Sequence, residues 1–291
     1  MLELREIQLS DKDWIKELLS YSDYRGCEYS FGNNFAWRNV YNIKIGRFKD
    51  FYIVKSNGEF IFPAGRGSIT ELIDHLKEYC AFHGEALTFC SSDKSIIERL
   101  KELYANEIEI TSNRDYFDYV YRFEDLSTLS GKKYHSKRNF INRFTQSQNW
   151  AYEPITRENI HECKEMNKLW CEANQCSLSL AKTEESCAVE CGLNNFFDLD
   201  FEGGLLRVDG KVQAFTFGER LNSDTFVVHV EKAMTDIPGA YPMINYQFVN
   251  HLCKEFAYIN REEDMGEPNL RKAKESYRPV FMQEKFQIRF V

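Results

Sequence analysis

Read for hydrophobic periodicity and turn signals, the chain of 291 residues runs through one succession of elements twice. The order is strand, two helices, three strands, helix, strand, helix, strand. A repeat of order constrains the fold more than composition does, because each copy alternates strands with helices and must build a sheet covered by helices. The expected class is therefore α/β (α+β), with two tandem domains, each a mixed, mainly antiparallel sheet flanked by helices. Residues 1–125 form the expected first domain, 126–149 a basic connecting helix, and 150–291 a second domain expected to carry the active site. The side chains themselves repeat only faintly, so the duplication is one of architecture.

Turn chemistry fixes several of these elements. Asn57-Gly58 and Asp209-Gly210 are each flanked by strand patterns and predict tight hairpins. The spacing predicts strands over residues 2–9, 150–156 and 225–232, and helices over 10–19, 158–173, 183–199, 242–256 and 268–277. Thr183 or Ser186 is the expected cap of the helix over 183–199. Residues 108–123 are expected to close the first sheet and 281–290 the second.

A net charge of -8 argues against a surface devoted to nucleic acid or anionic lipid, although a local basic patch exists. No apolar run approaches the roughly 20 residues of a membrane span, and the N-terminus reads as a strand rather than a leader. A cytoplasmic protein without an integral membrane segment is the expectation. The 9 cysteines are scattered without a C-x-x-C pair. Cys187 and Cys191 share a helix face at a spacing open to a soft metal, but they read as buried free thiols, and no metal site is expected.

Three constellations carry chemistry. In the connecting helix, Tyr134, Ile141 and Phe144 make an apolar stripe that contains Lys137, with Arg138 beside it and Asn139 next in sequence. A cation on a buried face calls for a carboxylate or an anionic ligand. In the strand over 225–232, strict alternation puts His229 and Glu231 on one face, a pair suited to proton transfer. The loop that follows reaches Gly239 and Tyr241 at the start of a helix that also carries Asn245, and a helix start of this kind can bind an anion. The third constellation runs from Asn260, Arg261 and Asp264 to a helix with Leu270, Ala273, Lys274 and Tyr277 at core spacing and Arg271 nearby. Glu231, Glu262 and Asp264 are the candidate partners of Lys274.

The order of elements over 150–290 resembles the GNAT acyltransferase fold, and two such domains in tandem resemble the Fem-type and phosphatidylglycerol lysyltransferase enzymes. The motifs are closer still to a bacterial family of uncharacterised proteins related to the phosphatidylglycerol lysyltransferase C-terminal domain. The runs that carry this resemblance are Lys-Lys-Tyr-His-Ser-Lys-Arg-Asn from Lys132, Glu-Lys-Ala from Glu231 and Gly-Ala-Tyr from Gly239, followed by Asn-Arg-Glu-Glu-Asp-Met-Gly from Asn260 and Leu-Arg-Lys-Ala-Lys-Glu-Ser-Tyr from Leu270. The resemblance implies tandem GNAT-like domains and an acyl- or aminoacyl-transferase that moves its group to an amine or hydroxyl acceptor. That acceptor would be a small molecule or a lipid headgroup.

Glu231, His229 and Tyr241 are the expected catalytic residues. Lys137, Arg138, Asn139, Gly239, Asn245, Asn260, Arg261, Asp264, Arg271, Lys274 and Tyr277 are expected to bind the donor or its anionic group. No cofactor is firmly implied; the donor substrate would be aminoacyl-tRNA, making tRNA a partner, or acyl-CoA. GNAT donor loops present a basic or amide residue and small residues to the coenzyme A pyrophosphate. Here Asp236 and Tyr241 stand in those places, which counts against acyl-CoA. The alternative is a non-catalytic protein of the same fold that binds a small anionic ligand or RNA. The oligomeric state is not legible in the sequence.

Overall fold

The computed structural model of the protein describes residues 2–91 and 93–291. In chain order its first elements are β1 (Arg5–Glu6), α1 (Lys12–Ser20), α2 (Phe31–Ala36), β2 (Lys44–Phe48), β3 (Phe51–Ser56) and β4 (Glu59–Gly65). They continue with α3 (Ile69–His83), β5 (Thr88–Ser91), α4 (Lys94–Tyr104) and β6 (Ile108–Ser112). Next come β7 (Asp118–Arg122), α5 (Phe123–Thr128), α6 (His135–Ser147), β8 (Trp150–Pro154), α7 (Ile160–Ala173) and α8 (Leu180–Asn194). The chain ends with β9 (Glu202–Val208), β10 (Lys211–Arg220), β11 (Thr225–Ala233), α9 (Ala240–Leu252), β12 (Tyr258–Asn260), α10 (Pro268–Glu275), β13 (Phe281–Gln283) and β14 (Phe286–Phe290).

Two compact units result. The first holds the chain up to Asp118 together with Glu263–Pro268 and Met282–Val291; the second holds Tyr119–Glu262 and Asn269–Phe281. Each is built on a seven-stranded sheet, in the order β1-β2-β3-β4-β5-β14-β6 for the first and β8-β9-β10-β11-β12-β7-β13 for the second. Within them β4–β5 and β11–β12 are parallel pairs, while the hairpin neighbours are antiparallel. The fold class is thus the one expected, two mixed and mainly antiparallel sheets flanked by helices.

The two strand orders match place by place, and the sixth place holds a correction. It is filled by β14 in the first sheet and by β7 in the second, so the closing strands are exchanged between the copies. Residues 108–123 therefore do not both close the first sheet, and 281–290 do not both close the second. Periodicity reveals a strand but not its neighbour, and the partition into units departs from the linear division for that reason. Ile288 of β14 pairs with Phe89 on one side and Ile110 on the other, and its side chain is fully buried.

Local chemistry accounts for the rest. The hairpins form at Asn57-Gly58 and Asp209-Gly210, where all four residues have positive φ, as a primed turn requires. Ser68 caps α3 by accepting from the Glu71 amide. The α8 cap is Ser179, upstream of the expected Thr183 and Ser186, because its oxygen reaches the Lys182 amide. At the N-terminus the expected strand over 2–9 shortens to Arg5–Glu6. The first core gathers Phe51, Phe62, Leu72, Leu76, Phe89 and Ile288. In the second unit, Tyr134, Ile141 and Phe144 of the predicted stripe pack with Met243 and Ile244 of α9. Among the described residues no helix is long and apolar enough to cross a membrane. Cys187, expected as a buried thiol, is exposed.

Candidate functional site

In the second unit β11 and β12 run in register from Thr225↔Tyr258 to Val227↔Asn260 and then part. β12 ends there, while β11 continues to Ala233, still paired with β10. The opened stretch of β11 carries Glu231, and Arg261 directly follows β12. Arg261 Nη2 donates to Glu231 Oε1 at 2.9 Å, so an ion pair rejoins the strands beyond the last backbone pair. Asn245 of α9, itself buried, donates to the other carboxylate oxygen at 2.9 Å. Both oxygens of Glu231 are thereby engaged by named donors.

Arg261 is not fully satisfied. Its guanidinium lies 4.8 Å from the Tyr277 ring centroid and 5.7 Å from that of Tyr121, and Nη1 is buried with no hydrogen-bond partner. An unmade buried hydrogen bond costs about 1–3 kcal/mol, and more at a charged group. Lys137 of α6 approaches the same Tyr277 ring, Nζ to centroid 3.8 Å. Among the described residues it has no carboxylate or main-chain oxygen within bonding distance. Burial first, and then the charge of Arg261, draws its amine down to about 8, with Glu231 opposing. Burial also pushes the Tyr277 and Tyr121 phenols up. Two basic groups thus approach one ring, and only Arg261 is paired with the carboxylate of Glu231.

His229 stands apart from that cluster chemically. The β10–β11 register slips where Phe217 faces Val230 and Gly218 faces Val228, so His229 is the extra residue of a β-bulge. The strict alternation that put His229 and Glu231 on one face is interrupted at this point. Its ring donates from Nε2 to Glu219 at 3.1 Å and from Nδ1 to Glu262 at 2.8 Å. Burial alone would lower its pKa, but the two carboxylates outweigh it and raise the ring to about 9. At neutral pH it is an imidazolium with both N–H groups committed. Glu219 went unnoticed in the sequence because its relation to His229 passes through the strand pairing.

The remaining residues divide. Tyr241 lies in the first turn of α9, half-buried, its phenol raised by burial. Gly239 caps that helix at φ 93°, and a Cβ there would lie 3.0 Å from the Phe140 carbonyl oxygen and 3.3 Å from Phe144 Cβ. The close approach permitted by Gly239 is thus to α6. Lys274 Nζ donates to the Arg261 and Glu262 carbonyls at 2.7 and 3.2 Å. Asn260 Oδ1 accepts from the Glu262 amide, and Arg138 donates to the Leu129 and Gly131 carbonyls. Asn139, exposed, has its amide nitrogen 3.3 Å from His135 Nδ1, and Arg271 is half-buried on α10. Of the expected core spacing on α10, Tyr277 is buried and Lys274 half-buried, but Leu270 and Ala273 are exposed, because the helix is a short one set along the surface. Asp264 belongs to the first unit, where it accepts from Arg114 at 3.2 Å.

The first unit holds a cluster that sequence reading missed. Lys285 Nζ lies 2.7 Å from Asp118, 2.8 Å from Glu28, 3.6 Å from Glu263 and 3.4 Å from the Cys27 thiol. Burial opposes its charge, yet Asp118, Cys27 and the two glutamates hold its pKa well above the ordinary lysine value. The group is assembled from four separate stretches of chain, so no local spacing announces it. An open cleft of about 440 Å³ elsewhere in this unit is lined by Glu6, Gln8, Phe35, Arg38 and Asn39, and no sequence-predicted site residue borders it.

The family model for the C-terminal region of phosphatidylglycerol lysyltransferase matches residues 20–289. A conserved protein of unknown function from Bacteroides thetaiotaomicron VPI-5482 is 38% identical, with 100% of each chain covered and a TM-score of 0.96. L-PGS from Bacillus licheniformis aligns over 98% of this chain and 94% of its own at 13% identity, with a TM-score of 0.65. FemX aligns over 99% and 97% at 11% identity, with a TM-score of 0.61. The last two likenesses show the fold alone. No protein with a curated description matches significantly.

Proposed function

The chain belongs to the family of phosphatidylglycerol lysyltransferase C-terminal domains, and from that premise we propose that it is an aminoacyltransferase. It moves an aminoacyl group from a charged tRNA to an amine or hydroxyl acceptor, with the ester carbonyl held where β11 and β12 part. One observation carries the reading: an arginine with one buried donor nitrogen unused, where a strand pair opens. Arg261 Nη1 receives the carbonyl oxygen as negative charge develops on it, and Glu231 with Asn245 holds the guanidinium in place. A donor preorganised in this way is worth most where water is excluded.

Acyl-CoA fits less well. The Gly239 turn that would approach a pyrophosphate lies against the Phe140 carbonyl, and Asp236 precedes it with a like charge. The basic residues Lys132 and Lys133, just before α6, and Arg143 on it are suited to tRNA phosphates.

The test supplies a tRNA pool charged with radiolabelled amino acids, with phosphatidylglycerol vesicles as hydroxyl acceptor and free lysine as amine acceptor. Label should move to an acceptor at least about 100-fold faster than spontaneous deacylation. Arg261→Met should lose a factor of about 10²–10³ in kcat, the usual cost of one oxyanion donor. Transfer no faster than hydrolysis, with both acceptors, ends the reading.

A further inference from the structure

We propose that Lys137 is the catalytic base of this transfer, taking the proton of the attacking acceptor and returning it to the departing ribose oxygen. The inference rests on the transferase reading and deepens it.

Elimination and geometry lead to it. A base needs a free lone pair and no fixed charge to serve. His229 has both nitrogens on carboxylates, the Glu231 carboxylate is held as the counter-ion of Arg261 with Asn245 on its other oxygen, and Lys274 donates to two carbonyls. Lys137 alone of these groups meets only a ring, that of Tyr277, which Arg261 also approaches. The Tyr277 ring thus has the Lys137 amine 3.8 Å and the guanidinium that carries the unused donor 4.8 Å from its centroid.

The charged groups around it favour the neutral amine. Burial comes first and Arg261 after β12 also opposes its charge; Glu231 on β11 supports it, and Tyr277 presents its ring. An amine near 8 is part neutral at physiological pH and still basic enough to take a proton.

The step balances. The acceptor nitrogen or oxygen bonds to the carbonyl carbon while its proton passes to the Lys137 lone pair. On collapse, the carbon–oxygen bond to the ribose breaks, and its electron pair stays with the ribose oxygen. The Lys137 ammonium protonates that oxygen, so the amine ends as it began and nothing is oxidised or reduced.

Two measurements test it. Competitive acetylation of the wild-type chain with acetic anhydride, read by peptide mass spectrometry between pH 6 and 11, should give Lys137 a midpoint near 8, with ordinary lysines about two units higher. In the transfer assay, Lys137→Met should lower kcat about 10²–10⁴-fold and abolish the acidic limb of the pH profile near 8. Lys137→Arg should fail to rescue, because a guanidinium keeps its proton where a merely structural cation would be replaced. An ordinary midpoint for Lys137, or substantial kcat in Lys137→Arg, overturns the base role and leaves the transferase reading standing. No transfer by the wild type sinks both.

Discussion

At His229 two carboxylates grip one imidazole, and the consequence is a pH dependence of stability. The ring is raised to about 9 in the folded chain against 6.5 for a free histidine. A raised histidine stabilises fully below its unfolded pKa, and the contribution fades as pH climbs through the folded value. Between pH 6.5 and 9 the second unit should therefore lose about 3 kcal/mol. Amide exchange along β11 should report it, with protection falling over that window in the wild type. The slope should vanish in His229→Gln; an unchanged slope in the variant would rule the pair out as its cause. The residue was visible in the sequence, but its role was not. Proton-transfer chemistry needs an uncommitted ring, and Glu219 and Glu262 come from two other segments of chain.

At the scale of elements, the hairpins were legible and the bulge was not. Asn57-Gly58 and Asp209-Gly210 encode their turns in two adjacent residues, since positive φ is a local demand. The bulge at His229 depends on Gly218 across the strand pair, where a Cβ would strike the Val227 carbonyl oxygen. Gly218→Ala should cost about 1–3 kcal/mol or more through overpacking. It should also lower exchange protection in both β10 and β11. Gly210→Ala meets open space and strains only its φ of 79°, costing about 1–2 kcal/mol confined to the turn. Equal effects from the two substitutions, read by thermal melts and exchange, would contradict this division. The stripe on α6 was readable by its helical spacing, and so was the anomaly of Lys137 within it. Its neighbour Tyr277 lies 140 residues further along the chain, beyond any periodicity.

For the whole molecule the exchanged strands matter most. β14 lies between β5 and β6, so deleting residues 286–291 would leave β6 without its partner and turn β5, still paired with β4, into an edge strand. The truncated chain should lose protection throughout the first unit while β9–β11 stay protected, and Ile288→Ala should cost the same unit about 2–5 kcal/mol. Loss centred on the second unit would mean that β14 belongs where the linear reading put it.

The order of elements, the two hairpin turns, the α/β class and the family were legible before folding, because these depend on neighbours a few residues apart or on motifs held in single runs. Tertiary structure alone decided which strand fills the sixth place of each sheet, that His229 is committed to two carboxylates, and that Lys285 gathers three acidic side chains and a thiol. In each of these the deciding partners are distant in sequence. Pairing energy and burial choose among them only once the chain has closed on itself.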